Sequence, residues 1–216
     1  RGATGTYDQV GEIALPLRGL HNVTNAAGVV AMALELGVAF DDIAAALGRF
    51  GGVARRFDVR GSDGNATFVD DYAHLPTEID VVLAAARASG DGWQRVIGVF
   101  QPNRYNRIAE MWHEYAHAFT NADVVVLTDI YPSGTVPIPG VSRKLIVNAV
   151  TDAHPELRVL WLPRRDALVT FLSAEVRAVL VVVVQPRQGE VAGLGEHGVH
   201  ARRRVPLRHE HDVAGR

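Results

Sequence analysis

The sequence predicts an α/β fold, a mostly parallel sheet with helices on both faces, preceded by a helical segment. Two observations carry this. From Phe68 onward, short β-branched runs alternate with helical patterns, which is the chain order of a parallel sheet. The runs are also apolar almost throughout, as strands buried on both faces must be.

Taken in order, Asn22 to Leu36 is an alanine- and valine-rich helix that stops at Gly37. Asp41 to Leu47 is a second helix, with Asp41 or Asp42 suited to cap it. Gly51-Gly52 breaks the pattern. Two helices rarely make a unit of their own, so residues 1–54 read as the C-terminal part of a preceding domain. The strands of the next unit, residues 55–184, are Thr67 to Asp70, Arg95 to Phe100, Asp123 to Thr128, Arg158 to Leu162 and Val179 to Val184. Helices are expected over Thr77 to Ser89, Tyr105 to Thr120, Arg143 to Asp152 and Arg165 to Ala178. Open sheets of this kind bind ligands beyond the carboxyl ends of their strands, which directs attention to residues 71–78, 101–107 and 129–139. Residues 185–216 change character, with four of the nine histidines, six arginines and little apolar periodicity. They read as a disordered or frame-shifted tail. His197, His200, His209 and His211 lie among arginines without a carboxylate framework, a poor metal site.

Composition removes several function classes. The 216 residues are 48% hydrophobic with a formal charge of −2, enough for a real core and too balanced for bulk attraction to nucleic acid or an anionic membrane. No apolar run approaches the ~20 residues that span a bilayer, and Arg1 to Gln9 holds no signal-peptide core. A cytoplasmic protein is expected, with no nucleic-acid or membrane partner and an oligomeric state that the sequence leaves open. Without cysteine there is no disulfide, thiolate zinc site or thiol nucleophile. Lys144 is the one lysine and follows no glycine-rich loop, so the chain holds no Walker-type phosphate loop. Gly2 to Thr6 reads as a turn.

Two segments concentrate reactive side chains at strand ends. Val69-Asp70-Asp71-Tyr72-Ala73-His74-Leu75-Pro76-Thr77-Glu78 sets two carboxylates, a phenol and an imidazole before a helix N-terminus. A plainer reading makes Thr77 the helix cap, Pro76 the entry turn and His74 a loop histidine. In Phe100-Gln101-Pro102-Asn103-Arg104-Tyr105-Asn106-Arg107, a helix starting near Arg104 would place Arg104 and Arg107 on one face, where both can meet one carboxylate.

With His21-Asn22-Val23-Thr24-Asn25, Gly52-Val53-Ala54-Arg55-Arg56-Phe57 and Asp129-Ile130-Tyr131-Pro132, these motifs resemble, in order and spacing, the Mur ligases of the UDP-N-acetylmuramate:L-alanine type. The resemblance runs from about Leu17 to about Leu172. It implies a Rossmann-like C-terminal domain after the tail of a central ATP-binding domain. It also implies an amide-forming ligase that activates the muramate carboxylate with ATP and Mg2+ as an acyl phosphate for attack by the alanine amine. By the same resemblance Asn22 and Asn25 hold adenine, Arg56 reaches the nucleotide phosphates and Asp71 lies near the ribose. Tyr72, His74, Arg104 and Arg107 take the amino acid, the arginines on its carboxylate, while Arg55 is expected to be a solvated neighbour. No complete catalytic set and no metal ligand are expected in this chain, which should be inactive alone.

Three departures stand out. Leu75 and Asn103 replace histidines common in the family, and the last strand runs into Gln185-Pro186-Arg187 instead of a GAGD-like turn. Two rival readings fit less well. A murein peptide ligase fits the arginine pair less well than a free amino acid does. A receiver-like signalling domain would pair Asp70 and Asp71 with Asp129, but it needs a lysine after its fifth strand.

Overall fold

The computed structural model describes residues 9–63, 66–89, 93–175 and, for the backbone, 179–184. The expected turn at residues 2–6 and the tail with its four histidines lie outside the described residues.

Helix α1 (Leu20–Glu35) ends in a Schellman motif: Leu36 is its C-cap, Gly37 takes φ 80°, Gly37 N–H donates to Leu34 O and Val38 N–H to Ala33 O. Helix α2 (Phe40–Arg49) packs on α1. Its N-cap is Ala39, with Asp41 and Asp42 in the first turn instead of at the cap, where they still favour the positive helix end. None of the α1 residues is buried; Leu20, Met32 and Leu36 are exposed large apolar side chains.

Six strands form one sheet in the order β1-β2-β6-β3-β4-β5: β1 (Asp58–Asp63), β2 (Ala66–Asp71), β3 (Arg95–Phe100), β4 (Val124–Leu127), β5 (Arg158–Trp161) and β6 (Val179–Val184). All pairings are parallel except the hairpin β1/β2, in register Asp58↔Asp70 to Asp63↔Ala66 with an irregularity between Val59 and Gly61. Strand β1 had not been expected, since Asp-Val-Arg-Gly-Ser-Asp has neither an apolar run nor alternation. It forms as an edge strand because β2 offers it a partner.

Side chains alternate cleanly across the sheet. Val69, Val96, Phe100, Val125 and Leu127 face a large core shared with α3 (Pro76–Ala88), α4 (Tyr105–Met111), a 3₁₀ segment (Trp112–His117) and α5 (Lys144–Ala153). Ile97, Val99, Val124 and Val126 face a smaller core under α6 (Arg165–Glu175). The single helix expected over Tyr105 to Thr120 is in fact α4 followed by the 3₁₀ segment. That tighter turn drops Tyr115 and Phe119 into the core beside Phe100, with ring centroids 5.5 and 5.7 Å away. The predicted helix end at residues 176–178 lies outside the described residues. No helix among the described residues is long and apolar enough to cross a membrane.

Candidate functional site

The carboxyl end of β2 is held by its own carboxylates. Asp71, 2% exposed, accepts hydrogen bonds from Ala73 N–H on Oδ1 and from Phe57 N–H on Oδ2, both 2.7 Å. Burial pushes its carboxyl above the ordinary range, opposed by those two amides and the Arg56 charge. The bond to Phe57 reaches back to a turn in which Arg55 and Phe57 both sit at positive φ, 60° and 49°. Such strain costs about 1–3 kcal/mol per residue and persists only where neighbours impose it. Here Asp71 and the bond from Tyr72 N–H to Arg55 O (2.8 Å) do so. Asp71 therefore sets the turn that presents Arg56.

Asp70 is also buried, which raises its carboxyl above the ordinary range against the nearby Arg55 charge. Arg55 Nε lies 3.4 Å from Asp70 Oδ2, and its guanidinium stands 4.9 Å from the Tyr72 ring centroid. This corrects the expectation of a solvated Arg55. Arg56 stays half exposed, 5.7 Å from the same ring.

After β2 the chain turns through Ala73 and His74 into α3. Leu75 is the N-cap and Pro76 occupies the first helical turn, where a missing N–H costs nothing. Thr77 does not cap. Glu78 does the work from the third helical position: its Oε2 accepts from His74 N–H (2.9 Å) and Leu75 N–H (3.1 Å). The same oxygen lies 3.3 Å from His74 Nδ1, and Oε1 lies 3.9 Å from Arg56. Burial would raise Glu78, but the two amides with the charges of His74 and Arg56 outweigh it and hold the carboxyl below the ordinary value. His74 Nδ1 also lies 3.0 Å from Tyr72 O, and the two rings meet edge to face at 5.3 Å.

Beyond β3, the helix begins at Tyr105 and not at Arg104. Arg104 is the residue before it, with φ 65° and ψ 122°, so the argument that Arg104 and Arg107 share a helical face does not hold. Arg104 is held from the β4 exit: its N–H donates to Tyr131 O (2.9 Å), Asn103 and Tyr131 form a parallel bridge, and Tyr105 N–H donates to Thr135 Oγ1 (3.0 Å). Arg107 donates to Asn103 Oδ1 (3.3 Å), so the asparagine that departs from the family pattern holds this arginine. The exposed Arg104 side chain meets no partner among the described residues.

Tyr115 links the two strand ends. Fully buried, its hydroxyl donates to His74 O at 2.8 Å. Burial drives the phenol far above its ordinary range, with the Arg107 charge pulling against it. The structure thus gathers Arg56, Asp71, Tyr72 and His74 around Glu78 and brings Arg107 close to them through Tyr115. Asn22 and Arg56 share a cleft of about 310 Å3 with Leu17, Arg18, Gly52 and Phe57. Asn25 is exposed on α1 and does not line it. The sequence alone assigns no role to Glu78 or Tyr115. The former has a signal, an acid four residues after a loop histidine; the latter is one aromatic among several.

Residues 55–187 match the family profile described as "Mur ligase, glutamate ligase domain". The chain is 43% identical over 165 residues to the "UDP-N-acetylmuramate--L-alanine ligase" of Geobacter sp. (strain M21), covering 76% of this chain and 35% of the relative. It is 39% identical over 198 residues to the protein of the same name from Geotalea daltonii, covering 92% of this chain and 42% of the relative. Among solved structures, the UDP-N-acetylmuramate-alanine ligase of Thermotoga maritima superposes with a TM-score of 0.66 at 27% identity, covering 85% of this chain and 38% of that one. The chain therefore spans 35% to 42% of the length of these proteins. With more than half of its residues inside the family profile, the chain belongs to the Mur ligase family.

Proposed function

We propose that this chain is the amino-acid-binding end of an ATP-dependent ligase that joins L-alanine to UDP-N-acetylmuramate in peptidoglycan precursor synthesis, in the cytoplasm. The observation that carries the reading is the meeting of Arg56, Tyr72 and His74 at Glu78 beyond the end of β2, with the charge of Arg107 acting on the Tyr115 hydroxyl that binds His74 O. The relatives' shared name supports it. In this reading residues 1–54 close a nucleotide-binding domain and residues 55–184 form the amino-acid domain. The partners are small molecules, with no nucleic acid and no membrane.

The cleft beside Asn22 suits the base end of a nucleotide. Its volume is that of a small ligand site, and because the Asn22 amide nitrogen already donates to Arg18 O (2.7 Å), the side-chain oxygen is left to accept from an adenine amino group. Asn25 would join only after a change at α1. Asp71 acts by holding the turn that aims Arg56 at the phosphates. The magnesium that the resemblance implies finds no donor set among the described residues, and we place its ligands in the part of these enzymes outside this chain.

ATP supplies the phosphoryl group that makes the muramate carboxylate an acyl donor. The residues of this chain contribute position and charge: Arg104 and Arg107 take the alanine carboxylate, and Tyr72 and His74 bound the pocket for its amine and methyl group. Thermal unfolding of the purified chain with L-alanine, and separately with ATP and magnesium, tests this. The melting temperature is expected to rise with L-alanine, and the rise should vanish in Arg104→Ala and Arg107→Ala. An equal rise in those variants would sink the assignment of the carboxylate site.

A further inference from the structure

His74 has two ring nitrogens, and the structure decides which one carries the proton. Nδ1 lies 3.0 Å from Tyr72 O and 3.3 Å from Glu78 Oε2. A backbone carbonyl has no proton to give, and Glu78, held below the ordinary carboxyl range, is ionised at neutral pH. Both neighbours only accept, so Nδ1 must donate. In the neutral ring Nε2 then carries a lone pair, and it meets no partner among the described residues. A half-turn of the ring about Cβ–Cγ would replace Nδ1 by a carbon and lose both contacts, so they favour the observed orientation. The backbone is fixed on both sides, His74 N–H by Glu78 (2.9 Å) and His74 O by the buried Tyr115 hydroxyl (2.8 Å), and the Tyr72 and His74 rings meet edge to face.

We infer that His74 Nε2 is the proton acceptor for the incoming amino acid's ammonium, with Glu78 as the positioning residue that fixes the Nδ1–H tautomer and stabilises the imidazolium. This rests on the reading of the site as an amino-acid site. An ammonium has no lone pair and cannot attack an acyl phosphate. One N–H bond of the ammonium breaks with its electron pair left on nitrogen, and the proton forms a bond to Nε2. The neutral amine then attacks the acyl carbon, the carbon–oxygen bond to phosphate breaks with its electron pair on the phosphate, and the amine's second proton leaves with it as hydrogen phosphate. A carboxylate beside one ring nitrogen favours the tautomer that keeps the proton there and stabilises the imidazolium, and Glu78, part exposed, stands at 3.3 Å from Nδ1 for that purpose. Here the charged residues close to Glu78 are Arg56, from the turn before β1, and Asp71, at the end of β2, while Arg107 of α4 and Glu114 of the 3₁₀ segment act on Tyr115 from the other side.

The test is a long-range proton–nitrogen spectrum of the nitrogen-15-labelled chain above neutral pH, before and after L-alanine. His74 is expected in the Nδ1–H form, opposite to the form free histidine favours. L-Alanine should move the Nε2 resonance while leaving Nδ1 protonated. Glu78→Gln keeps acceptors for the His74 and Leu75 amides but loses the charge, and should shift the tautomer balance toward Nε2–H. A His74 in the Nε2–H form overturns the proposal even if L-alanine perturbs Arg104 and Arg107. An Nδ1–H His74 that L-alanine leaves untouched, together with unmoved arginines, overturns it through the amino-acid reading instead. Unchanged His74 resonances in Glu78→Gln reduce Glu78 to a helix cap.

Discussion

Tyr115 illustrates how a residue with no visible chemistry organises those that have it. Its ring is part of the main core, stacked on Phe100, and its hydroxyl ends at His74 O. Tyr115→Phe keeps the ring and loses the bond, so a destabilisation of about 0.5–1.5 kcal/mol is expected. Urea titration should show it as a lower midpoint with an unchanged slope. A loss well above that range would mean the core had rearranged. The two segments that hold Tyr72 and His74, and Arg104 and Arg107, stood out in the sequence because phenol, imidazole and guanidinium crowd at strand ends, while their grouping into one site is what the family resemblance implies. The role of Tyr115 was not, because aromatic residues at helical spacing are ordinarily core and its partner lies 41 positions away.

At the scale of elements, the exit of β4 braces the start of α4. Thr135 Oγ1 accepts from Tyr105 N–H and donates to Pro132 O, so a side chain from another loop supplies the cap that Arg104 lacks. Thr135→Val removes the hydroxyl at nearly constant shape and is expected to cost about 1 kcal/mol. Hydrogen exchange should quicken at the first amides of α4 and not in β3. A uniform increase across the sheet would indicate general destabilisation instead. Strands β3 and β4 were readable because strands buried on both faces have no choice but to be apolar, and the part-exposed edge strand β5 by its short Val-Leu run. Strand β1 and the break between α4 and the 3₁₀ segment were not. One depends on pairing with β2, and the other on where Tyr115 and Phe119 find room.

For the whole molecule, the acid groups at the β2 end pull stability in opposite directions with pH. Glu78 is held below its ordinary value of 4.5, so its contribution is complete above that value and disappears as pH falls through the lowered one. Asp70 and Asp71 are raised by burial, so theirs is present at acid pH and declines as pH rises through the raised values. Comparing the chain with Glu78→Gln isolates the first effect. The variant is expected to melt lower at pH 7, with the gap closing as pH drops below about 4.5, in parallel thermal melts. A gap that persists undiminished at acid pH would show that the charge of Glu78 is not what stabilises the fold. By itself the sequence determined the α/β class, five of the six strands and the segments where polar side chains crowd at strand ends, because apolar periodicity and polar crowding are local properties of a chain. Only the tertiary structure decided that β6 lies between β2 and β3, that Glu78 joins Arg56 to His74, that Arg55 pairs with Asp70 and that Asp71 is bound by backbone amides. Each of these depends on burial and on a partner brought close by packing, and neither is written in local order.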